Sequence, residues 1–348
     1  MIEQDTRSRA VTSGDVPGVL RLFEQVFGHP ISERHYRWKL QTRPSPVHNA
    51  VIALDQLNQP VFHIAGIPCR CWLGGAERWV MVAVDAMTRP DHRRQGLLTT
   101  CAAELFESWK AAGVTLVLGL PNENWRSRTH ALGWQRLAKL GSWVLPLRPE
   151  RLLGRRTGAS WVGRMHPLGD LWRAIIRKRA PGRAGITVRP VETADERFDI
   201  LWRNARTRIT HSLARDRSWI EWRYLQAPSA RYEILIAMRG ATPAGFGIYG
   251  ERGPHAAVVP EIFAPEDPAA FSALVEALIA LALERGRDSI RGFAAVGSPS
   301  DRQWRRMGLF RGRHAFGIEY VPLEPGLTRD FVLPIGKWEI AGGDFDFV

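Results

Sequence analysis

A basic loop in the first third of the chain combines residues that suit the binding of an anion. It reads Arg93-Arg94-Gln95-Gly96-Leu97-Leu98. The apolar, β-branched segment 79–88 before it predicts a strand, and apolar residues recur at helical spacing from 98 to 112 after it. The first N–H groups of a helix are free, its dipole attracts negative charge, and a glycine lets a ligand approach the backbone. The pattern therefore predicts a pyrophosphate site, with an ordinary basic surface turn as the alternative.

A second segment follows this loop and helix. Residues 114–120 predict another buried strand, and a turn ending at Asn124 leads to a short helix that closes at Gly133-Trp134. The whole stretch resembles the acyl-CoA-binding core of the GNAT acetyltransferase superfamily, whose loop reads (Gln/Arg)-x-x-Gly-x-(Gly/Ala). Arg93, Gly96 and Leu98 fall on its fixed positions, although Leu98 departs from the small residue expected there. Asn124 and Gly133-Trp134 fit the segment that closes the family's core.

The resemblance implies an α/β (α+β) fold with mixed sheets flanked by helices, and an acyl-CoA, most simply acetyl-CoA, as co-substrate. An amine would attack the thioester carbonyl directly, with no metal, while strands 79–88 and 114–120 hold the pantetheine between them. A backbone N–H near Met87 or Thr88 would stabilise the oxyanion. The residues implied to hold the co-substrate are Met87, Thr88, Arg93, Arg94, Gln95, Gly96, Leu97, Leu98, Thr99 and Asn124.

The base that would deprotonate the amine has several candidates. Asp85 is an acid inside an apolar strand, so it is either a base whose pKa burial raises or a structural carboxylate bonded to a neighbouring group. The tyrosine that often serves this family as general acid is replaced by Thr129, and His130 beside it reads as structural. Asp346 and the carboxylate of Val348 are further candidates, because one aminoglycoside-modifying branch uses its C-terminal carboxylate. A frayed terminus is the alternative.

Anchors of the first half recur in the second. Residues 189–195 match 9–15, and Gly308-Leu309 matches Gly133-Trp134, with offsets of 180 and 175. We therefore predict a GNAT-like domain at 1–148, a basic connector at 149–185, a degenerate copy at 186–323 and a tail at 324–348. The 175 offset places Phe271 opposite Gly96, which predicts that Phe271 fills the phosphate space and that the second copy binds no acyl-CoA.

The connector between the copies carries much of the positive charge. Residues 151–183 hold eight Arg and one Lys against Asp170, a net charge of 9 − 1 = +8 out of +13 for the chain. The amphipathic segment 168–179 is either a linker helix with a solvated basic face or a peripheral contact with an anionic membrane surface. Only Trp161 and Trp172 accompany this charge, so the pattern does not favour nucleic-acid binding.

The composition sets the wider expectations. The chain has 348 residues, 45% of them hydrophobic and 24% charged, which predicts two globular domains. No apolar run approaches a membrane span and no signal peptide is visible, so we expect a cytoplasmic protein, with peripheral contact at the inner membrane surface as an option. The three cysteines read as reduced thiols.

These observations favour an N-acetyltransferase that acts on a small amine. A pI of about 10.5 suits an anionic or amino-sugar acceptor better than a polycation. The rival hypothesis is a non-enzymatic protein that binds polyanions or membrane surfaces through residues 151–183. The sequence leaves the acceptor, the acyl chain length and the oligomeric state open.

Overall fold

The computed structural model describes residues 7–121, 132–157, 171–172, 185–265 and 267–345. The predicted residues Asn124, Thr129, His130, Asp346 and Val348 lie outside this part of the chain, as does most of the predicted helix 168–179. Among the described residues, no helix is long and apolar enough to cross a membrane. The mixed α/β class predicted from the sequence is confirmed.

The first half of the described chain contains six strands and four helices. In chain order these are β1 (Arg7–Ala10), α1 (Val16–Phe27), α2 (Glu33–Gln41), β2 (Ala50–Leu54), β3 (Pro60–Leu73), β4 (Ala76–Thr88), α3 (Leu97–Ala111), β5 (Val114–Gly119), β6 (Gln135–Pro146) and α4 (Pro149–Thr157). Strands β4 and β5 and helix α3 confirm the strand–loop–helix–strand pattern read from the sequence.

The second half repeats the alternation of helices and strands. In chain order its elements are β7 (Ile186–Val191), α5 (Glu196–Ala205), β8 (His211–Leu213), α6 (Arg217–Ile220), β9 (Glu233–Arg239), β10 (Thr242–Arg252), β11 (Ala256–Val259), β12 (Ile262–Phe263), α7 (Pro268–Glu284), β13 (Ser289–Ala295), α8 (Pro299–Arg306), β14 (Phe310–Pro322), α9 (Arg329–Val332) and β15 (Trp338–Glu339).

The chain divides into two compact units. Unit 1 comprises Met1–Leu137, Gln226–Ser229 and Gly317–Leu333, and unit 2 comprises Ala138–Leu225, Ala230–Phe316 and Pro334–Val348. The copies predicted at 1–148 and 186–323 are defined by sequence, whereas the units are defined by contacts. The boundaries predicted for the two copies, the connector and the tail therefore remain predictions from the sequence.

The sheet of unit 1 is antiparallel from β1 to β4 and then parallel between β4 and β5. Helix α3 is the crossover that two parallel neighbours require. Its buried face packs on the sheet, with Cys101, Leu105 and Trp109 at helical spacing. Residues Pro322 to Glu319 of β14 then pair with β5 and complete the sheet.

Strands β4 and β5 separate at their carboxyl ends. Their pairing ends at Ala83 opposite Gly119, so residues 84–88 of β4 extend beyond the ladder. On its other side β4 pairs with β3, and the register shifts so that Asp85 and Ala86 lie opposite Ile64 alone. Asp85 has a φ of +50°, a left-handed backbone that a non-glycine residue rarely adopts. This β-bulge ends the regular strand and leaves a cleft between the strand ends.

Unit 2 is built on the same plan. Its sheet runs β7, β9, β10, β11, β13 and β6, with β11 and β13 parallel and α7 as their crossover. Most residues of α7 from Ala270 to Ala282 are buried in the core of this unit. Strand β6 joins the sheet through the pairing of Leu140–Pro146 with β13.

The last strand of each sequence copy therefore belongs to the sheet of the other copy. Strand β6 is the last strand of the first copy, but its residues 140–146 belong to unit 2. Strand β14 is the last strand of the second copy, but its residues 319–322 belong to unit 1. The sequence did not predict this exchange, because two similar copies offer equivalent sheet edges and a repeat pattern does not say which edge a strand joins.

Candidate functional site

The start of helix α3 exposes backbone amides that no protein group caps. Gly96 is its N-cap, with a φ of +80°, and makes no side-chain cap. The N–H of Thr100 is the first to bond within the helix, to the Gly96 carbonyl at 3.0 Å. The N–H groups of Leu97, Leu98 and Thr99 therefore point out of the helix end. With Arg94 also left-handed at a φ of +65°, this loop forms a concave row of donors suited to an anion.

A cavity of about 390 Å³ opens at this helix end. Its lining residues are Thr88, His92, Arg93, Arg94, Gln95, Gly96, Leu97, Leu98 and Thr99. A Cβ placed on Gly96 would meet no atom within 4 Å, so the loop faces open space. The structure thus brings together eight of the ten predicted co-substrate residues. Of the other two, Met87 is buried outside the lining and Asn124 lies beyond the described residues.

Asp91, which lies next to the lining residue His92 in the chain, is an acid whose charge is already paired. Asp91 lies 2.9 Å from Arg89 and 3.0 Å from His92, and these partners hold the pKa of its carboxyl well below the usual range. Arg93 donates to the Thr88 carbonyl at 3.3 Å. Among the described residues, Arg94 makes no hydrogen bond or ion pair, so its guanidinium is available to a ligand. His92 is a lining residue that the sequence reasoning missed, because a lone histidine carries no pattern.

A second cavity, of about 150 Å³, lies in the cleft between β4 and β5. Its lining residues are Phe27, Ala83, Val84, Asp85, Ala86, Gly119, Leu120, Pro121 and Trp134. A Cβ on Gly119 would come within 2.9 Å of the Trp134 ring, so this position admits only glycine beside the tryptophan. The Gly133-Trp134 motif thus places a buried indole ring beside the end of β5.

Asp85 lines this cleft, and its carboxylate is paired with a lysine. The Nζ atom of Lys39, on α2, lies 2.9 Å from Oδ1 and 2.8 Å from Oδ2 of Asp85. The two side chains are only 2% and 8% exposed. A lysine buried on a helix face has no signature in the sequence, so this partner was not predicted. Asp85 as the base stays a prediction.

Two further buried groups hold the backbone of the bulge. His63 Nδ1 lies 2.9 Å from the Asp85 carbonyl oxygen, and His63 Nε2 lies 3.2 Å from the Tyr36 hydroxyl. The carbonyl only accepts, so Nδ1 carries the proton and Nε2 accepts from Tyr36. Burial lowers the pKa of His63 and raises that of Tyr36, which keeps both neutral. The bulge of β4 is thus fixed from two sides by Lys39 and His63.

The corresponding helix start in unit 2 is closed to anions. The Asp267 side chain caps α7 by accepting from the Ala270 N–H at 3.0 Å, and it pairs with Arg239 at 2.9 Å. Helix α3 begins at Leu97 and α7 at Pro268, which aligns Gly96 with Asp267 at an offset of 171. The expected equivalence of Gly96 and Phe271 is therefore wrong, because the loop before α7 is four residues shorter. Phe271 instead lies in the core against Trp304.

The C-terminal tail fills the cleft of unit 2. Pairing of β11 with β13 ends at Val259 opposite Gly292, and beyond it Ala294 of β13 pairs with Ala341 of the tail. The Gly343 N–H donates to the Pro260 carbonyl at 3.0 Å on the other side. The tail therefore lies between the two strand ends, where an extended ligand would otherwise fit.

Buried charges anchor this tail. Arg215 lies 2.6 Å from Asp344 and also contacts Glu261, and all three side chains are buried. Tyr224 donates to the second oxygen of Glu261 at 2.6 Å. Arg223 donates to the carbonyl oxygens of Gly343 and Phe345 at 2.9 and 3.0 Å. The Asp344 carboxylate is thus held inside unit 2 by Arg215.

Comparisons with known proteins show what the first part of the chain and its fold are similar to. Residues 7–136 match the family model for an acetyltransferase (GNAT) domain. No curated protein matches the chain. A GCN5-related N-acetyltransferase from Anabaena variabilis ATCC 29413 is 11% identical with a TM-score of 0.65, and the match covers 92% of this chain and 73% of that one.

Two other solved structures are similar. A conserved protein of unknown function from Enterococcus faecalis V583, described as a probable N-acyltransferase, is 13% identical with a TM-score of 0.66, over 92% of this chain and 72% of that one. A GCN5-related N-acetyltransferase from Kribbella flavida is 15% identical with a TM-score of 0.61, over 91% and 70%. Residues 7–136 are therefore similar to a GNAT acetyltransferase domain, and the fold of the chain is similar to that of the GCN5-related N-acetyltransferases among these solved structures.

Proposed function

We propose that unit 1 binds an acyl-CoA, most simply acetyl-CoA, and that its acyl group is transferred to the amine of a small acceptor. The observation that carries this proposal is the uncapped start of α3, which opens on a basic cavity of about 390 Å³ at the same end of β4 as the cleft. The match of residues 7–136 to a GNAT acetyltransferase domain supports acyl transfer in general, and the acetyl group and the acceptor class are part of the proposal.

The residues present fit this co-substrate. The free N–H groups of residues 97–99 and the guanidinium of Arg94 would hold the pyrophosphate, with Arg93 and His92 beside them. Residues 84–86 of β4, which have no β-strand partner on the β5 side, would accept the pantetheine as an added strand. When bound, the co-substrate supplies the activated acyl group as a thioester.

Deprotonation of the amine is assigned to a carboxylate. Asp85 lies at the cleft, and the ion pair with Lys39 fixes its orientation there. We propose that Asp85 accepts the proton of the attacking amine. Asp346 or the carboxylate of Val348 is the second candidate. An N–H at the bulge, near Met87 or Thr88, would stabilise the developing oxyanion.

The acceptor class is inferred from shape and charge. The cleft carries apolar and aromatic surface from Phe27 and Trp134, and the chain has a net charge of +13. A positive field favours anionic acceptors over polycations. We propose a small amine that also carries negative charge, with phosphorylated or nucleotide-linked amino sugars as the first class to test.

The stoichiometry of acetyl-CoA binding tests the proposal. We expect one site per chain, because Asp267 caps the second helix start and the tail fills the second cleft. Calorimetric titration with acetyl-CoA should give a stoichiometry near one. Two equivalent sites would overturn the assignment of the second copy, and no binding would overturn the function. Mass spectrometry of a panel of amines with acetyl-CoA would then identify the acceptor.

The rival hypothesis, a non-enzymatic binder of polyanions or membrane surfaces, rests on residues 151–183. Most of these residues lie outside the described part of the chain. Among the described residues of this segment, Arg151 and Arg155 of α4 form ion pairs with Asp288. Part of the positive charge of the segment is therefore paired within unit 2. Peripheral membrane contact and a cytoplasmic location stay predictions. Binding to duplex nucleic acid at physiological salt without any acetyl-CoA affinity would favour the rival.

A further inference from the structure

Unit 2 carries a cavity of about 360 Å³ that the acyl-transfer site does not use. Helix α8 forms one wall, the turn after α5 another, and residues 336–339 of the tail the third. The lining residues are Arg208, Ile209, Thr210, Pro299, Arg302, Gln303, Arg306, Gly336, Lys337 and Glu339. Pro299, Arg302, Gln303 and Arg306 follow the i, i+3, i+4, i+7 spacing of a single helix face.

Four cationic side chains converge on this cavity. Arg302 donates to the Gly297 carbonyl at 3.0 Å. The side chains of Arg208, Arg306 and Lys337 make no hydrogen bond or ion pair with any described residue. Several like charges on a concave surface raise the local concentration of anions. The arrangement is therefore suited to a ligand with more than one negative charge.

One carboxyl group lies at the floor of the cavity. Glu339 is buried and accepts a hydrogen bond from Ser300 Oγ at 2.7 Å. Burial raises the pKa of Glu339 to about 7, so the group is only partly ionised at neutral pH and opposes an anion weakly. A carboxyl group at this place can accept a hydrogen bond from a hydroxyl or amine group of the ligand.

We propose that this cavity binds a small, hydroxyl-bearing phosphorylated ligand of the sugar-phosphate class. Arg208, Arg302, Arg306 and Lys337 would surround the phosphate, since guanidinium forks match its oxygens, and Glu339 would accept from a hydroxyl group. The volume falls in the range of small-ligand pockets. No aromatic side chain is among the described lining residues, so nothing there would stack on a nucleobase. This site is independent of the acyl-CoA site proposed for unit 1.

Helix α8 offers a matched control. Arg305 is exposed like Arg306 and differs by one position, but it pairs with Asp301 at 3.7 Å and does not line the cavity. Arg305→Gln and Arg306→Gln change the net charge of the protein equally. A difference in ligand affinity between the two variants therefore reports binding in the cavity and not the general electrostatic field of the protein.

Calorimetric titration of the full chain with ribose 5-phosphate tests the proposal. We expect one site, weakened about ten-fold by Arg306→Gln or Arg302→Gln and within two-fold of the parent in Arg305→Gln. Ribose itself should bind at least ten-fold more weakly than ribose 5-phosphate. Circular dichroism should show that all variants fold, because the substituted side chains are exposed.

A second pair of variants separates this site from the acyl-CoA site and from free phosphate. Arg94→Gln should leave ribose 5-phosphate binding unchanged, whatever it does to acetyl-CoA. Glu339→Gln should increase the affinity for inorganic phosphate, because it removes a negative charge. The affinity for ribose 5-phosphate should increase less, because the substitution also removes a hydrogen-bond acceptor for the sugar. Equal losses in Arg305→Gln and Arg306→Gln, loss of the site in Arg94→Gln, or no binding by the parent at millimolar ribose 5-phosphate would overturn the proposal.

Discussion

A single N-cap residue separates an open helix start from a closed one. At α3 the N-cap is Gly96, whose absent side chain leaves three amides to a ligand, and at α7 it is Asp267, whose carboxylate satisfies the corresponding amide itself. Both are ordinary ways to begin a helix. We expect this difference to decide which half of the chain binds a pyrophosphate.

Gly96→Asp should give α3 the same kind of capped N-terminus that Asp267 gives α7. The new carboxylate would cap its own helix and repel the pyrophosphate, so acetyl-CoA affinity should fall at least about thirty-fold, or about 2 kcal/mol. Gly113→Asp is the control, since Gly113 has the same φ of +80° and equally open space at the other end of α3. Calorimetry should show near-parent affinity for Gly113→Asp. Equal losses in both variants would place the pyrophosphate elsewhere.

The ion pair of Lys39 and Asp85 should be structural as well as functional. Lys39→Met leaves a buried carboxylate without its partner and should destabilise the protein by about 3 kcal/mol. Adding Asp85→Asn should recover part of that loss, because the pair is then removed as a whole. Chemical denaturation measures both effects.

Asp85→Asn alone also tests the base. If Asp85 accepts the proton of the amine, this variant should keep its acetyl-CoA affinity but lose at least about a hundred-fold in kcat. Unchanged kcat in a folded variant would move the role to the C-terminal carboxylates.

Glu339 should make stability depend on pH in a predictable direction. Its pKa is about 7 in the folded state against 4.5 for the ordinary carboxyl, so the folded protein binds the extra proton between these values. Stability should therefore fall as pH rises from 4.5 to 7, by up to about 2–3 kcal/mol from this group. Glu339→Gln should remove that slope, so it should stabilise the protein at pH 8 and have little effect at pH 4.5. Denaturation of parent and variant at both pH values measures the difference, and equal effects would contradict the assignment.

At the scale of elements, the same strand–helix–strand unit is used in two ways. In unit 1 the cleft between the parallel strands is open and lined by Asp85 and Trp134. In unit 2 the tail pairs with Ala294 and donates to the Pro260 carbonyl, so the chain itself fills the cleft. We expect such a segment to take the place that pantetheine would occupy, because both would bind as added strands.

Truncations of the tail separate anchoring from catalysis. Removal of residues 346–348 keeps Phe345, whose carbonyl accepts from Arg223, so stability should stay within about 0.5 kcal/mol of the parent. If the terminal carboxylates serve as base, kcat should collapse in this variant while acetyl-CoA affinity is kept. Removal of residues 341–348 leaves Arg215 without Asp344 and should destabilise unit 2 by about 3 kcal/mol or more. A stable protein after the longer truncation would contradict the anchoring role.

The sequence predicted those features of the site that are local. The strand, loop and helix from 79 to 112 carry their own periodicity, and Gly96 stands where a helix start meets a ligand. The partner of Asp85 is 46 positions away on a helix, and no pattern links the two residues. The error at Phe271 has the same origin, because a constant offset assumes loops of equal length and the second loop is shorter.

At the scale of the whole molecule, dividing the chain between the two sequence copies should destabilise both fragments. A fragment of residues 1–157 would contain β5 without β14, and its open sheet edge should promote aggregation. Co-expression with residues 158–348 should restore soluble protein, since each fragment carries the strand that the other sheet lacks. Size-exclusion chromatography of the separate and co-expressed fragments tests this expectation. A soluble, acetyl-CoA-binding 1–157 fragment would show that β14 is dispensable.

The exchange of last strands also bears on why the second copy persists. A duplicated gene whose second product has lost its ligand loop would ordinarily be free to decay or to be deleted. Here its final strand finishes the sheet of the active half, so deleting the second copy would expose the edge of β5 beside the cleft. If the first half has the proposed activity, selection for that activity would also preserve the strand, and with it the fold, of the second copy, while the surface of the second copy could change.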